Sequence, residues 1–388
     1  MNIIYNVNDN IISNLKCFTI QDYLIYLKLR KTINQPHDKL YKTILDNKKP
    51  VSYTHLLYIY YNINIKQIQC HKFLIVVRTK FHIMNKLYWV IIMKLGLALA
   101  GGGVKGAAHV GVLKALEEEN IQIDYIGGTS SGSIVASLYA IGFTADEIYI
   151  IFKKYCKKIK YVDFFNIIKA IIGLIFTGRI VIDGLNSGKQ IEKLIDRFAH
   201  KKGVYNISDI KKQLVIPSVD MYNGEVLCFT SALIENGKKV NNYRADFSDK
   251  VRFVKEMPIG KAVRASCSFP IVFSPCSYRD TKLIDGGIRE NVPWKELKSI
   301  GADKILSVTF EEEIDRSCCK NLIEVGGRAI GLLSRELSNY EMQGVDYNLK
   351  LRSEKVGLLD MSKIDELYLL GYREMKEYLE NLQYIYEK

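Results

Sequence analysis

The chain has 388 residues, enough for one large domain or two, with 55 Lys and Arg against 42 Asp and Glu and a formal net charge of +13. A basic balance of this size usually points to nucleic acid or an anionic surface, but the charge is uneven. Residues 1–92 carry 13 basic and 4 acidic side chains, +9, and the remaining residues only +4, so a nucleic-acid partner is not expected for the larger part.

Residues 1–92 contain no glycine, alanine or glutamate, and are rich in Asn, Ile, Lys, Tyr and Leu, which AT-rich codons encode. Val51-Ser52-Tyr53-Thr54-His55-Leu56 matches one reading frame of a common transposase sequencing adapter. Met93 stands directly before the first recognisable strand. We expect 1–92 to be a basic leader, disordered or translated from upstream sequence, and 93–388 to be one catalytic domain. No cleavable signal is recognisable. The eight cysteines have no CxxC or framework spacing, which suits a reducing cytoplasm.

From Leu95 the order is strand (95–100), glycine loop (101–106), helix (107–118), strand (121–126), tight turn (128–132) and helix. The glycine loop Gly101-Gly102-Gly103-Val104-Lys105-Gly106 permits two readings. Glycines let backbone N–H groups converge on a developing negative charge, and Lys105 adds a cation or a tether. The same loop matches G-x-G-x-x-G, a dinucleotide fingerprint, with Asp124 near the distance of a ribose-binding acid. Taken alone it suits either. The pentapeptide Gly128-Thr129-Ser130-Ser131-Gly132 decides between them. G-x-S-x-G between strand and helix is a nucleophile elbow, for which a dinucleotide fold has no use.

A nucleophilic serine needs a base. Only His109 and His200 follow Met93. His109 lies inside the first helix, where packing or capping is its default. His200 lies at a basic helix end, where the helix dipole favours it. Neither resembles a triad histidine, so a carboxylate is the economical base. The candidate is Asp285, at the end of the apolar strand before Gly286-Gly287; the alternative is an ordinary Asp-Gly hairpin turn flanked by 279–283 and 288–292.

Further along, 145–160 reads as a helix, and 161–185 as an apolar segment too short to cross a bilayer. It is either a core helix or a cap that dips into lipid through 164–176. Strands are expected at 214–220, 224–230, 304–310 and 347–352, and helices at 321–337 and 365–382. This alternation argues for a mainly parallel α/β sheet.

Together, the glycine loop with its following helix, the serine elbow, the segment 262–270, the strand pair 216–230 with Asp220 and Gly224, and Asp285-Gly286-Gly287 resemble the patatin-like phospholipase family over 93–388. The resemblance implies a three-layer α/β/α sandwich, a variant of the α/β-hydrolase architecture. It also implies hydrolysis of lipid acyl esters by a Ser–Asp dyad: Ser130 as nucleophile, Asp285 as base, and Gly101, Gly102 and Gly103 lining the oxyanion hole. Lys105, Gly128, Gly132, Gly286 and Gly287 support them. Lys105 stands where arginine is commoner, and Ser131, where alanine is commoner, would narrow the acyl path. No metal or organic cofactor is expected. The expected partner is a lipid or other acyl ester, and the expected location is cytoplasmic or peripheral at a membrane. The alternatives are an esterase or thioesterase for small or coenzyme-bound acyl groups, or a non-catalytic lipid-binding protein.

Overall fold

The computed structural model describes residues 94–155, 163–179, 182–232, 251–312, 322–353, 356 and 360–387. The leader 1–92, the polar loop 241–250 and five of the cysteines lie outside these; Cys228, Cys267 and Cys276 are buried and not in disulfides.

Apolar residues alternate along the strands and split into two clusters, one on each face of a single sheet. On β1 (Leu95–Leu99), Leu97 and Leu99 face one way while Ala98 and the following Ala100 face the other. β2 (Tyr125–Gly128), β3 (Gln213–Asp220), β4 (Val226–Thr230) and β8 (Lys304–Glu312) divide in the same manner. β5 (Val251–Val254) and β9 (Tyr347–Ser353) form the edges, in the order β5-β4-β3-β2-β1-β8-β9.

The two helical layers differ in weight. The larger-side-chain face is covered by α1 (Gly106–Glu118), α2 (Ser131–Ile141), α3 (Ala145–Tyr155), α5 (Lys189–Lys201), α6 (Ile259–Ser266) and α9 (Ile364–Glu387). The other face is covered by α7 (Trp294–Ser299), through Trp294 and Leu297. The result is the expected three-layer α/β/α sandwich. α1 and α9 cross so closely that a Cβ on Gly371 would lie 1.9 Å from the Ala108 carbonyl oxygen, and one on Gly111 2.0 Å from that of Tyr368. Two further helices are α4 (Phe164–Thr177) and α8 (Leu322–Glu341).

Pairing is parallel at β1–β2, β1–β8, β2–β3, β4–β5 and β8–β9. It is antiparallel at β3–β4, the strand pair expected over 216–230, whose turn is fastened by the Asp220 carboxylate accepting from the Tyr222 amide at 2.8 Å. β6 (Cys276–Tyr278) and β7 (Thr281–Asp285) insert a second antiparallel element. β3 is the strand that matters most for function. Its first half pairs with β2, and where β2 stops, β7 takes over on the same edge with Ser218 opposite Asp285. The turn after β2 and the end of β7 are thereby brought face to face.

One detail differs from the sequence expectations, and two alternatives left open there are decided. The strand expected at 121–126 forms at Tyr125–Gly128, because the glycine pair is needed inside the sheet: a Cβ on Gly127 would meet the Pro293 ring at 3.0 Å and the Val215 carbonyl at 3.2 Å. Residues 288–292 are no hairpin strand; Gly286–Ile288 is a 3-10 turn capped by Asp285. In α4, Ile171, Ile172, Leu174, Ile175 (71% exposed) and Phe176 (81% exposed) lie open, so this half is no core helix.

Candidate active site

Ser130 stands between β2 and α2 with φ 52° and ψ −122°, a left-sided conformation that costs a non-glycine residue on the order of 1–3 kcal/mol. The surrounding backbone holds it there. The Thr129 amide donates to the Leu99 carbonyl at 3.1 Å, and the Thr129 hydroxyl to the Glu290 carbonyl at 2.8 Å. The Ser130 amide donates to Ser266 Oγ at 3.1 Å, and the Ser133 hydroxyl to the Ser130 carbonyl at 2.6 Å. Both elbow glycines are steric requirements. A Cβ on Gly128 would lie 2.3 Å from the Gly132 carbonyl oxygen, and one on Gly132 2.5 Å from that of Leu99. The N-terminus of α2 lies behind the serine, with its partial positive charge.

Asp285 ends β7, with 2% of its surface exposed. Its amide donates to the Ser268 carbonyl at 3.0 Å, and its Oδ1 accepts the Gly287 amide at 2.8 Å. Oδ2 is buried and lacks a formed hydrogen bond. Burial raises the carboxyl pKa to about 7, against the lowering influence of the Gly287 amide and the Ser130 hydroxyl. The serine hydroxyl and this carboxyl therefore face each other in a site where the acid takes up and releases protons near neutral pH. A base of that strength is well matched to work there. Gly286 makes the approach possible: a Cβ on it would lie 2.5 Å from the Pro217 carbonyl and 3.0 Å from the Thr129 methyl.

The glycine loop lies against the same serine. A Cβ on Gly101 would lie 3.1 Å from Ser130 Cβ. The three glycines are not equivalent, however. The Gly101 amide donates to Asn291 Oδ1 at 3.0 Å, so Gly101 lines the site without a free N–H. Gly102 precedes a 3-10 turn at Gly103–Lys105, and Gly103 has φ +60°. Lys105 is buried beneath this turn with its ammonium over the Phe310 ring, 5.7 Å from the centroid, which fits a tether. Ser131 packs against Gly106, where a Cβ would meet its own Cβ at 2.9 Å, beside the glycine loop.

The histidines take the bland roles expected of them. His109 is fully buried and donates from Nε2 to the Ala100 carbonyl at 2.8 Å, directly before the glycine loop. Burial pushes its pKa down to about 4, so it is neutral at physiological pH. His200 lies exposed in the last turn of α5. Asp124 sits at the opposite end of the strands from the glycine loop, its carboxylate accepting the Leu95 amide at 3.1 Å. A ribose acid belongs at the carboxyl ends of the strands, beside the loop, so the dinucleotide reading loses its second residue.

The contributions of four residues were not identified from sequence. Ser266 and Ser268 lie within the segment singled out by resemblance, but nothing in their spacing shows that one holds Ser130 and the other Asp285. Arg264 anchors that segment by donating to the Ser187 carbonyl at 3.0 and 2.6 Å. Asn291 holds the first amide of the glycine loop through its Oδ1.

Comparison with known proteins bears on the same residues. The family model described as Patatin-like phospholipase matches residues 97–298. The chain is 28% identical over 306 residues to lysophospholipase NTE1 of Meyerozyma guilliermondii, covering 72% of this chain and 19% of that protein. It is 28% identical over 239 residues to the uncharacterized protein YqhO of Bacillus subtilis, covering 59% of this chain and 76% of that one. Among solved structures it is similar to VipD from Legionella pneumophila, at 12% identity and a TM-score of 0.37, over 74% of this chain and 67% of that one. The chain thus spans about a fifth of the length of the curated lysophospholipase it matches. The family match covers just over half of the 388 residues and includes every element that carries Ser130, Asp285 and the glycine loop, and on that ground the chain belongs to the patatin-like phospholipase family.

Proposed function

We propose that this protein is a serine acyl hydrolase that cleaves fatty-acyl esters of phospholipids or lysophospholipids through an acyl-enzyme on Ser130. The observation that carries the reading is the buried Asp285 carboxyl, held near pKa 7 with Ser130 in front of it. Asp285 takes the proton as Ser130 Oγ attacks the ester carbonyl. The Gly102 and Gly103 amides receive the oxyanion, each such donor being worth roughly 2.7–4 kcal/mol in the transition state. As the tetrahedral intermediate collapses, the C–O bond to the alcohol breaks and Asp285 returns the proton to the leaving oxygen. Water then gives its proton to Asp285 as it attacks the acyl carbonyl; the C–Oγ bond breaks, Asp285 returns the proton to Ser130 Oγ, and the fatty acid leaves. The chain's own groups suffice for each step.

The lipid preference within this reading is supported by α4. Its open residues Ile171, Ile172, Leu174, Ile175 and Phe176 are apolar, and the charged neighbours Lys169 and Arg179 are exposed and basic. Such a surface dips into an anionic bilayer. Among the described residues no helix is long and apolar enough to cross a membrane, so contact through α4 is peripheral in this reading. The relative named lysophospholipase NTE1 agrees with a lipid substrate.

The test is hydrolysis of a medium-chain p-nitrophenyl ester by the full chain beside Ser130→Ala and Asp285→Asn. Activity that both substitutions abolish in folded protein supports the dyad. Activity that survives in Ser130→Ala refutes it. Ile172→Ser with Phe176→Ser should lower turnover on anionic phospholipid vesicles about tenfold and spare the soluble ester, because both side chains are open and their loss leaves the core intact. Equal loss on both substrates would contradict the membrane role of α4.

A further inference from the structure

Asn291 lies on the turn between Gly286–Ile288 and α7. Its side-chain amide is wedged between the two loops of the site. A Cβ on Gly101 would lie 2.8 Å from Asn291 Oδ1, and one on Gly287 3.2 Å from the same atom. Oδ1 accepts the Gly101 amide at 3.0 Å, and Nδ2 donates to Ser338 Oγ on α8 at 3.0 Å. The Ser338 hydroxyl in turn donates to the Ser334 carbonyl at 2.7 Å.

The order of donors in this chain is forced. The Gly101 N–H can only donate, so Oδ1 must face it and Nδ2 must turn toward α8. Ser338 accepts from Nδ2 while its own single hydrogen goes to the Ser334 carbonyl. A flipped amide would set a donor against the Gly101 N–H and lose that bond. Gly101 is thereby fixed beside Ser130, and the next two amides, of Gly102 and Gly103, are aimed by it.

We infer that Asn291 is a positioning residue for acyl transfer, with Ser338 of α8 holding the far end of its amide. The inference rests on the reading of Ser130 given above. Asn291 does not touch the reacting atoms. It acts through Gly101, and the interaction it protects is one made more strongly in the transition state than with bound ester.

The experiment uses the full chain and a medium-chain p-nitrophenyl ester. A trifluoromethyl ketone of the same chain length serves as second probe, since its adduct with a serine places a charged oxygen where the oxyanion forms. Asn291→Ala should lower kcat about 100-fold, as a misplacement on the order of 1 Å does, with KM within about twofold. Ketone affinity should fall in parallel with kcat. Ser338→Ala should lose a smaller factor, about fivefold, and Ser338→Thr, which keeps the hydroxyl, should recover most of it. Ser338→Ala also keeps the test open if Asn291→Ala does not fold. Unchanged kcat in both alanine variants overturns the inference. So does a loss of thermal stability with kcat and ketone affinity falling by different factors, since that is the pattern of a merely structural residue. If the wild type neither hydrolyses the ester nor binds the ketone, the reading of Ser130 fails, and the role of Asn291 fails with it. If the wild type does both, the two claims are judged separately.

Discussion

Asp285→Asn should inactivate the protein and, above neutral pH, stabilise it. The Asp285 pKa is raised from 3.8 to about 7 by burial, so the folded state binds its proton more tightly than the unfolded state does. Stability from this group is fully present below pH 3.8 and is lost as pH rises to about 7, because the native state holds more protons across that window. A shift of about 3 units corresponds to about 4 kcal/mol at pH 8. Asparagine does not titrate and escapes this loss. Its own cost is a buried NH2 donor where Oδ2 has no partner now, about 1–3 kcal/mol. That cost does not change with pH. The stability of Asp285→Asn relative to wild type should therefore rise by about 3 kcal/mol between pH 5 and pH 8, a comparison from which constant terms cancel. Urea denaturation of both proteins at the two pH values measures it. A relative stability that stays flat or falls with pH would refute the argument that the base is tuned by desolvation.

Two other perturbations have signs fixed by the structure. His109, held near pKa 4 against a usual 6.5, costs the wild type stability as pH falls from 6.5 to 4, up to about 3 kcal/mol. His109→Gln keeps a donor for the Ala100 carbonyl and does not titrate, so its stability relative to wild type should improve from pH 7 to pH 4.5 in the same denaturation assay. Gly371→Ala places a Cβ 1.9 Å from the Ala108 carbonyl oxygen and must push α9 off α1. It should destabilise the fold by about 2 kcal/mol or more, read as a lowered urea midpoint.

The serine elbow was legible because its chemistry and sterics coincide: Gly128 and Gly132 are glycine for the same close approach that lifts Ser130 out of the turn. Asp285 was reached partly by elimination, since two histidines in unsuitable places leave a carboxylate as the candidate base. The position of β2 was misjudged because an apolar run at 121–126 looks more like a strand than Tyr-Ile-Gly-Gly does. Only the approach of Pro293 and Val215 from elsewhere in the fold explains the glycines. The open face of α4 was left undecided because periodicity marks an apolar face without saying what covers it. Asn291 and Ser338 could not be found at all: they are 47 residues apart, and their meeting depends on where α8 lies beside the turn after Asp285. The hydrogen bonds of Ser266 and Ser268 are hidden for the same reason. Local pattern reports what a segment needs, whereas these bonds report which segments meet.

The central claim is a covalent ester on Ser130. It is tested most directly by quenching the full chain in acid during turnover of a medium-chain p-nitrophenyl ester and mapping the acylated peptide by mass spectrometry. The account predicts an added acyl group on Ser130, forming faster as pH rises through about 7, where Asp285 loses its proton. Acyl transfer to another residue, or turnover with no acyl-enzyme in wild type and undiminished rate in Ser130→Ala, would contradict it.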